Sequence, residues 1–368
     1  MIFPRYKLAQ YQMTYSTKAK YFMGASASEA ITLTELLELA NDDEHKLWHD
    51  LPLGYSNSQG DISLREKIAE DYPGLTAENI ITFSGAQEAI FATYHALLKP
   101  QDQVQVILPI FEPLSLIAES IGADVKSVSL TTSKNQSWKL DVNELLSAIN
   151  ASTILTAINF PHNPTGAMIS IDELNQIVGQ CANNDSWLFS DEVFRGLEYQ
   201  KTDQLPPVAA MYEKGISLGV MSKAYGLGGV RVGWIACQNK KLIQRLLEIK
   251  HFLSICNGRA DELLALIALN HAADLLSHNR ETIKQNLKLL NNIDLLNSIV
   301  NWHQPLAGCV AYPEWLGGAD ASLFATELIQ KKELMVIPGN CFLEANQCFR
   351  IGFGGKDFPK VFKYFLAN

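Results

Sequence analysis

The sequence is poor in the features that would mark it for several common tasks. Its six cysteines, Cys181, Cys237, Cys256, Cys309, Cys341 and Cys348, are scattered. None forms a C-x-x-C pair and none sits in a Cys/His cluster with zinc spacing, which excludes a zinc motif and a redox dithiol at this level. Unpaired thiols imply a reducing compartment, so the cytoplasm is the expected location. Long apolar runs are missing as well. The longest candidate, Asp261 to Ala273, is short and carries Glu262, Asn270 and His271, so no membrane span is expected. Met1 to Lys20 has no apolar signal core. There is no run of Lys and Arg, and the net charge is −9 with a pI near 5.4. Nucleic-acid binding as the main task is thereby excluded, while small-molecule chemistry stays open because a few local groups set it. Low-complexity segments and internal repeats are also lacking.

What is present is an ordinary globular composition, 47% hydrophobic and 19% charged over 368 residues. That length exceeds one core and implies two domains. Helical spacing marks Ile31 to Ala40, with Thr32 or Thr34 as N-cap, and Ser63 to Asp71. Strands and helices then alternate. The strands are Asn79–Phe83, Gln103–Leu108, Asp124–Ser129, Ser152–Asn159, Trp187–Ser190, Gly215–Met221 and Val232–Cys237. Helices at 86–98, 113–121, 142–149 and 171–183 lie between the earlier ones. Repeated βα units with apolar strands predict an α/β fold with a mostly parallel sheet covered on both faces. After Asn239 the pattern changes to long helices, 240–252, 260–276 and 280–290, and then to a mixed tail. The expected division is an N-terminal arm at 1–45, a large α/β domain at 46–255 and a small α+β domain at 256–368.

Five short stretches carry chemistry. Ser222 to Trp234, Ser-Lys-Ala-Tyr-Gly-Leu-Gly-Gly-Val-Arg-Val-Gly-Trp, follows a strand. A lysine at a strand's carboxyl end sits where open α/β sheets bind ligands, and desolvation there lowers its pKa toward a nucleophilic amine. Arg231 can return to the same cleft and hold an anion with its planar fork. Asn159 to Gly166, Asn-Phe-Pro-His-Asn-Pro-Thr-Gly, also follows a strand, stiffened by Pro161 and Pro164 and released by Gly166. Ser190 to Arg195 places Asp191 at a third strand end, 28 residues after Asn163, a spacing that allows one helix and one strand between them. Ser84 to Ala89 opens a helix, whose free N–H groups and dipole favour an anion. Phe349 to Gly354 places Arg350 on a short strand after Val336-Ile337-Pro338-Gly339.

Taken together and in this order, these stretches resemble the motifs of class I/II aminotransferases, the fold type I enzymes dependent on pyridoxal 5′-phosphate (PLP). The resemblance covers most of the chain. It implies that Lys223 carries PLP as a Schiff base and, once freed, shuttles the substrate's α-proton. It implies that Asp191 partners the pyridine nitrogen, Asn163 the phenolic oxygen, and Arg231, Ser222, Gly85, Ala86 and Gln87 the phosphate. Phe111 aligns with the aromatic that stacks on the ring. Tyr55 resembles the tyrosine that reaches a neighbouring subunit's phosphate, which implies a homodimer with shared sites. Arg350 would clamp the substrate α-carboxylate, joined by the backbone of Gly24.

The chain departs from that pattern in two places. Phe194 stands three residues after Asp191, where many members have Tyr or His, and Val220 stands three before Lys223, where Ser or Thr is common. Leu53 to Gly60 and Met23 to Ser26 resemble a subgroup that includes capreomycidine-synthase-like enzymes, which cyclise a hydroxyarginine. The leading expectation is transamination between an amino acid and a 2-keto acid. The alternative is a PLP lyase or cyclase using the same residues. A non-catalytic PLP-fold domain would be expected to lack the lysine, and a nicotinamide dehydrogenase is disfavoured because Gly226-Leu-Gly-Gly is not G-x-G-x-x-G. A dicarboxylate substrate would need a second arginine, for which Arg195 and Arg259 are candidates. An aromatic substrate could use Tyr15, Tyr21 or Phe22.

Overall fold

The computed structural model describes residues 3–291, 294–318, 320–343 and 347–367. Seven strands form the central sheet: β1 Ile80–Phe83, β2 Gln103–Leu108, β3 Asp124–Ser129, β4 Thr153–Asn159, β5 Trp187–Asp191, β6 Gly215–Val220 and β7 Gly233–Cys237. Their spatial order is β1-β7-β6-β5-β4-β2-β3. The pairs from β3 across to β6 are parallel, and β7 alone runs antiparallel to both its neighbours. Every residue of β1, β6 and β7 is buried. This is the pattern of a sheet covered on both faces, and it explains the near-continuous apolar runs in the sequence.

Cap chemistry starts the helices where the sequence suggested. Thr32 and Glu35 make a reciprocal capping box at Leu33–Leu39, and the Asp141 side chain accepts from Glu144 N–H at Val142–Ala148. The long helices differ from expectation. The segment read as 260–276 and 280–290 is instead Arg259–Asn270 and Ala272–Asn291, divided at His271. At this division the His271 Nε2 lies 3.0 Å from the Glu44 carboxylate. The polar Ser277-His278-Asn279 run stays helical, because the buried Asn279 amide donates to the Ala224 carbonyl at 2.9 Å.

The C-terminal part holds a three-stranded antiparallel sheet, β8 Val310–Ala311, β9 Ile337–Pro338 and β10 Phe349–Gly352, with β10 in the middle. The N-terminal segment joins this part, since Tyr21–Phe22 pairs in parallel with Leu334–Met335. A helix that the sequence did not reveal, α1 (Lys7–Tyr15), precedes it. Its first turn has no local side-chain cap. Glu112, fully buried, supplies one from over a hundred residues away: its carboxylate accepts the Lys7 and Leu8 N–H groups at 3.4 and 2.7 Å. No described helix is long and apolar enough to cross a membrane.

Candidate active site

The register of the sheet brings three of the sequence motifs to one edge. Asn159, the last residue of β4, pairs across to Asp191, the last of β5, which pairs with Leu218 in β6. The chain beyond these parallel strand ends carries Asn163, Asp191 and Lys223, so topology alone gathers them at the crevice where such sheets bind ligands. Asn159 ties two of the loops together. Its amide donates to the Asp191 carbonyl at 2.8 Å, and its Oδ1 accepts the Asn163 N–H at 2.8 Å. Gly166 then turns the chain at φ +69°, where a Cβ would fall 2.3 Å from Pro305.

Asp191 is buried, and among the described residues its carboxylate accepts one hydrogen bond, from Val193 N–H at 3.2 Å. Burial pushes its pKa up to about 7, against the opposing pull of that hydrogen bond and of Lys223. The half-buried Lys223 donates to Ser26 Oγ at 3.0 Å. Burial and the nearby Arg350 lower its amine to about 8, with Asp191 pulling the other way. Among the described residues no carboxylate forms an ion pair with this lysine. Buried acid and depressed amine are thus held apart yet in each other's field, as at functional sites.

At the other end, Arg231 takes a left-handed backbone conformation, φ +51°. Its guanidinium donates to the carbonyls of Gly228 and Ser84 at 3.0 and 3.3 Å. Gly85 lies directly beneath: a Cβ there would sit 2.4 Å from the Arg231 Nη2. Ala86 opens α2 (Ala86–Leu97), and Gly85 offers its first amides no side-chain cap. A guanidinium and uncapped helix amides around a glycine form a cradle for a phosphate-sized anion. Ser222 is half-buried at the start of the same loop.

Arg350, on β10, is fully buried. Its Nη1 donates to Asn163 Oδ1 at 2.9 Å and its Nη2 to the Gly24 carbonyl at 2.7 Å, and its guanidinium carbon lies 5.0 Å from the Phe342 ring centroid. Its Nε is buried without a partner, and no described carboxylate pairs with it. Burial lowers its pKa to about 10. Gly24 therefore meets Arg350 through its carbonyl. With Asn163 Oδ1 engaged, the Asn163 NH2 remains as the donor facing the cleft.

Phe111 is half-buried, with its ring edge-on to Tyr6 at 6.3 Å between centroids. Tyr55 stands apart from the cluster, 86% exposed on a surface loop. Phe194 is wholly buried against Gly308 and brings no hydroxyl. Four of the side-chain candidates are engaged elsewhere: Arg195 donates to the Leu205 carbonyl, Arg259 lines a surface cavity with Asp43 and Lys46, Tyr21 packs on Tyr364 and Tyr15 on Tyr11. Phe22 is partly exposed and its ring lies beside Gly24, where a Cβ would come within 3.1 Å of it. Tyr6, Ser26, Asn159 and Cys309 are the neighbours that sequence reasoning did not assign. Asn159 and Ser26 lay within strings already singled out; nothing local marked Tyr6 or Cys309.

Residues 26–358 match the family described as Aminotransferase class I and II. Capreomycidine synthase of Streptomyces vinaceus is 28% identical over 297 residues, covering 80% of this chain and 75% of that protein. An aspartate aminotransferase of Sulfurisphaera tokodaii is 26% identical over 318 residues, 83% of this chain and 79% of that one. A PLP-dependent aminotransferase from Streptococcus suis superposes with a TM-score of 0.91 at 26% identity, over 100% of this chain and 97% of that one. A mostly parallel sheet with this likeness defines a fold type I α/β protein that uses pyridoxal 5′-phosphate. More narrowly, the chain belongs to the class I and II aminotransferase family. The residues fit the cofactor: an amine without a carboxylate partner, a buried acid, and a glycine–arginine cradle at a helix start.

Proposed function

We propose that the protein transfers the amino group of an amino acid to a 2-keto acid, with Lys223 holding PLP through its amine. The observation that carries this reading is the buried Arg350, hydrogen-bonded to Asn163 and Gly24, with no partner for its Nε and no carboxylate of its own among the described residues. Such a group is built to receive a carboxylate from outside the chain. Arg231, Gly85, Ala86, Gln87 and Ser222 would hold the phosphate, Asp191 the ring nitrogen, Asn163 the phenolic oxygen, and Phe111 the ring face. When bound, PLP supplies a protonated, electron-withdrawing ring that accepts the charge left at the substrate's α-carbon. The protein's part is to orient the substrate through Arg350, to hold the Asp191 carboxyl against the ring nitrogen, and to present the Lys223 amine as the base that takes the α-proton and returns it. An amine whose pKa lies near 8 is neutral in about a tenth of molecules at pH 7 and about half at pH 8, far more than an ordinary lysine offers that task. Tyr55 serves a second copy of the chain in this reading, which its exposure together with that of Leu53, Phe252 and Ile255 supports.

A second reading, elimination or cyclisation by the same residues, is favoured by Phe194, which leaves the cofactor's phenolic side without a hydroxyl from this position. The test is a panel of amino donors on the purified, loaded protein. Transamination predicts one equivalent of 2-keto acid per site without an acceptor, and sustained turnover only when a second 2-keto acid is added. Sustained turnover with no acceptor, with loss of a β- or γ-substituent, would overturn it in favour of the second reading. Lys223→Ala is expected to abolish turnover and the cofactor's Lys-bound absorbance; a variant retaining both removes Lys223 from the chemistry.

A further inference from the structure

We infer that the Ser26 hydroxyl positions the Lys223 amine for proton transfer, accepting one of its N–H bonds from the side of the cleft that Arg350 lines. This rests on the reading above, in which Lys223 moves the proton.

The hydrogen bond joins residues 197 apart in sequence, at 3.0 Å. Ser26 is not a loose surface group, because the segment around it is pinned at both ends. Upstream, Met23 N–H donates to Met335 O and Gly352 N–H to Met23 O, both at 2.9 Å, and Gly24 O receives Arg350 at 2.7 Å. Downstream, Ser28 N–H donates to the carbonyl of Lys223 itself at 3.0 Å. Gly352 packs so closely that a Cβ there would lie 1.6 Å from the Ala25 carbonyl oxygen. The five-residue bridge 24–28 therefore runs from the carboxylate-binding arginine to the lysine and sets the hydroxyl between them.

A lysine side chain has four rotatable bonds, and fixing it costs rotamer freedom. A part-buried hydrogen bond from its amine offsets that cost, so Ser26 favours one rotamer over the rest. The other groups facing the amine do not choose it. Arg350 and Arg231 repel its cation, Asp191 attracts it from the β5 side without an ion pair, and Cys309 is a buried thiol raised to about 12 and hence neutral. Phe194, on the next loop, has no polar atom on its side chain. By accepting a hydrogen bond, Ser26 also favours the protonated amine, opposing the burial that lowers it.

The test uses Ser26→Ala and Ser26→Thr. In the cofactor-free protein, acetylation of Lys223 by limiting acetic anhydride is followed against pH by mass spectrometry. Ser26→Ala should shift the amine's titration downward, and Ser26→Thr should restore it. In the loaded protein, exchange of an amino acid's α-hydrogen in D2O should slow by about 10- to 100-fold in Ser26→Ala with KM unchanged, as expected for a misaimed base, and recover in Ser26→Thr. An unshifted titration in Ser26→Ala overturns the inference, as does unaltered exchange. If the natural protein exchanges no amino acid, the functional reading fails instead, and the acetylation profile alone decides whether Ser26 sets the amine.

Discussion

Replacing Asp191 by Asn should make the cofactor-free protein more stable at alkaline pH while weakening its hold on PLP. The carboxyl is buried, with one backbone hydrogen bond, and its pKa lies at about 7 against an ordinary 3.8. A raised pKa means that the folded protein binds this proton more tightly than the unfolded chain does. Between the two values the folded state carries the extra proton, so stability falls as pH rises through that window and stays low above it. About three units at 1.36 kcal/mol each set an upper size of about 4 kcal/mol. Asparagine is neutral throughout and keeps an oxygen for the Val193 N–H, so it removes the titration and little else. Urea unfolding of cofactor-free protein is the assay. At pH 4 the two proteins should be alike; at pH 8 the variant should be more stable, by about 1–4 kcal/mol. The same variant should bind PLP more weakly, because it offers the ring nitrogen no charge. A stability gap that is equal at both pH values, or a variant less stable at pH 8, would refute the argument. The expected pair of results, a more stable fold at pH 8 and a weaker hold on PLP, would mark Asp191 as a residue kept for its ligand at the expense of the empty fold.

Two further perturbations test the ends of the site. Gly85→Ala places a methyl against the Arg231 guanidinium at a backbone φ of +88°. Because the displaced atoms are the tip of a flexible side chain, the fold should survive with a loss of about 1–3 kcal/mol from the backbone conformation, while the PLP dissociation constant rises by about 10-fold or more, one charge-assisted hydrogen bond's worth; unchanged cofactor titration would remove Gly85 and Arg231 from the phosphate site. Glu112→Ala strips the cap from α1, and amide exchange across residues 7–15 should accelerate by the equivalent of about 0.5–2 kcal/mol with the central sheet unaffected; an unaltered exchange pattern would show that the helix is held by its apolar face instead.

The sequence by itself determined the central sheet and which candidate residues stand at its strand ends. Strands such as Gln103–Leu108 and helices such as Ile171–Asn183 are legible because side-chain period, caps and turn residues are local, and a strand sandwiched between helices has no choice but to be apolar on both faces. Lys223, Asp191 and Asn163 were legible for the same reason, each following its own strand within a short, stereotyped turn. Tertiary structure decided the rest. Nothing near His271 announces a helix break, and its partner there, Glu44, stands on a distant element. Helix α1 depends on Glu112 for its cap. The meeting of Arg350 with Asn163 and Gly24, and of Lys223 with Ser26, joins residues 187 to 326 apart. Hydrogen bonds across such separations are fixed by how sheet, arm and C-terminal strands dock on one another. A residue's own neighbourhood in sequence carries no record of that docking, so the partners of the reactive groups had to be read from the fold.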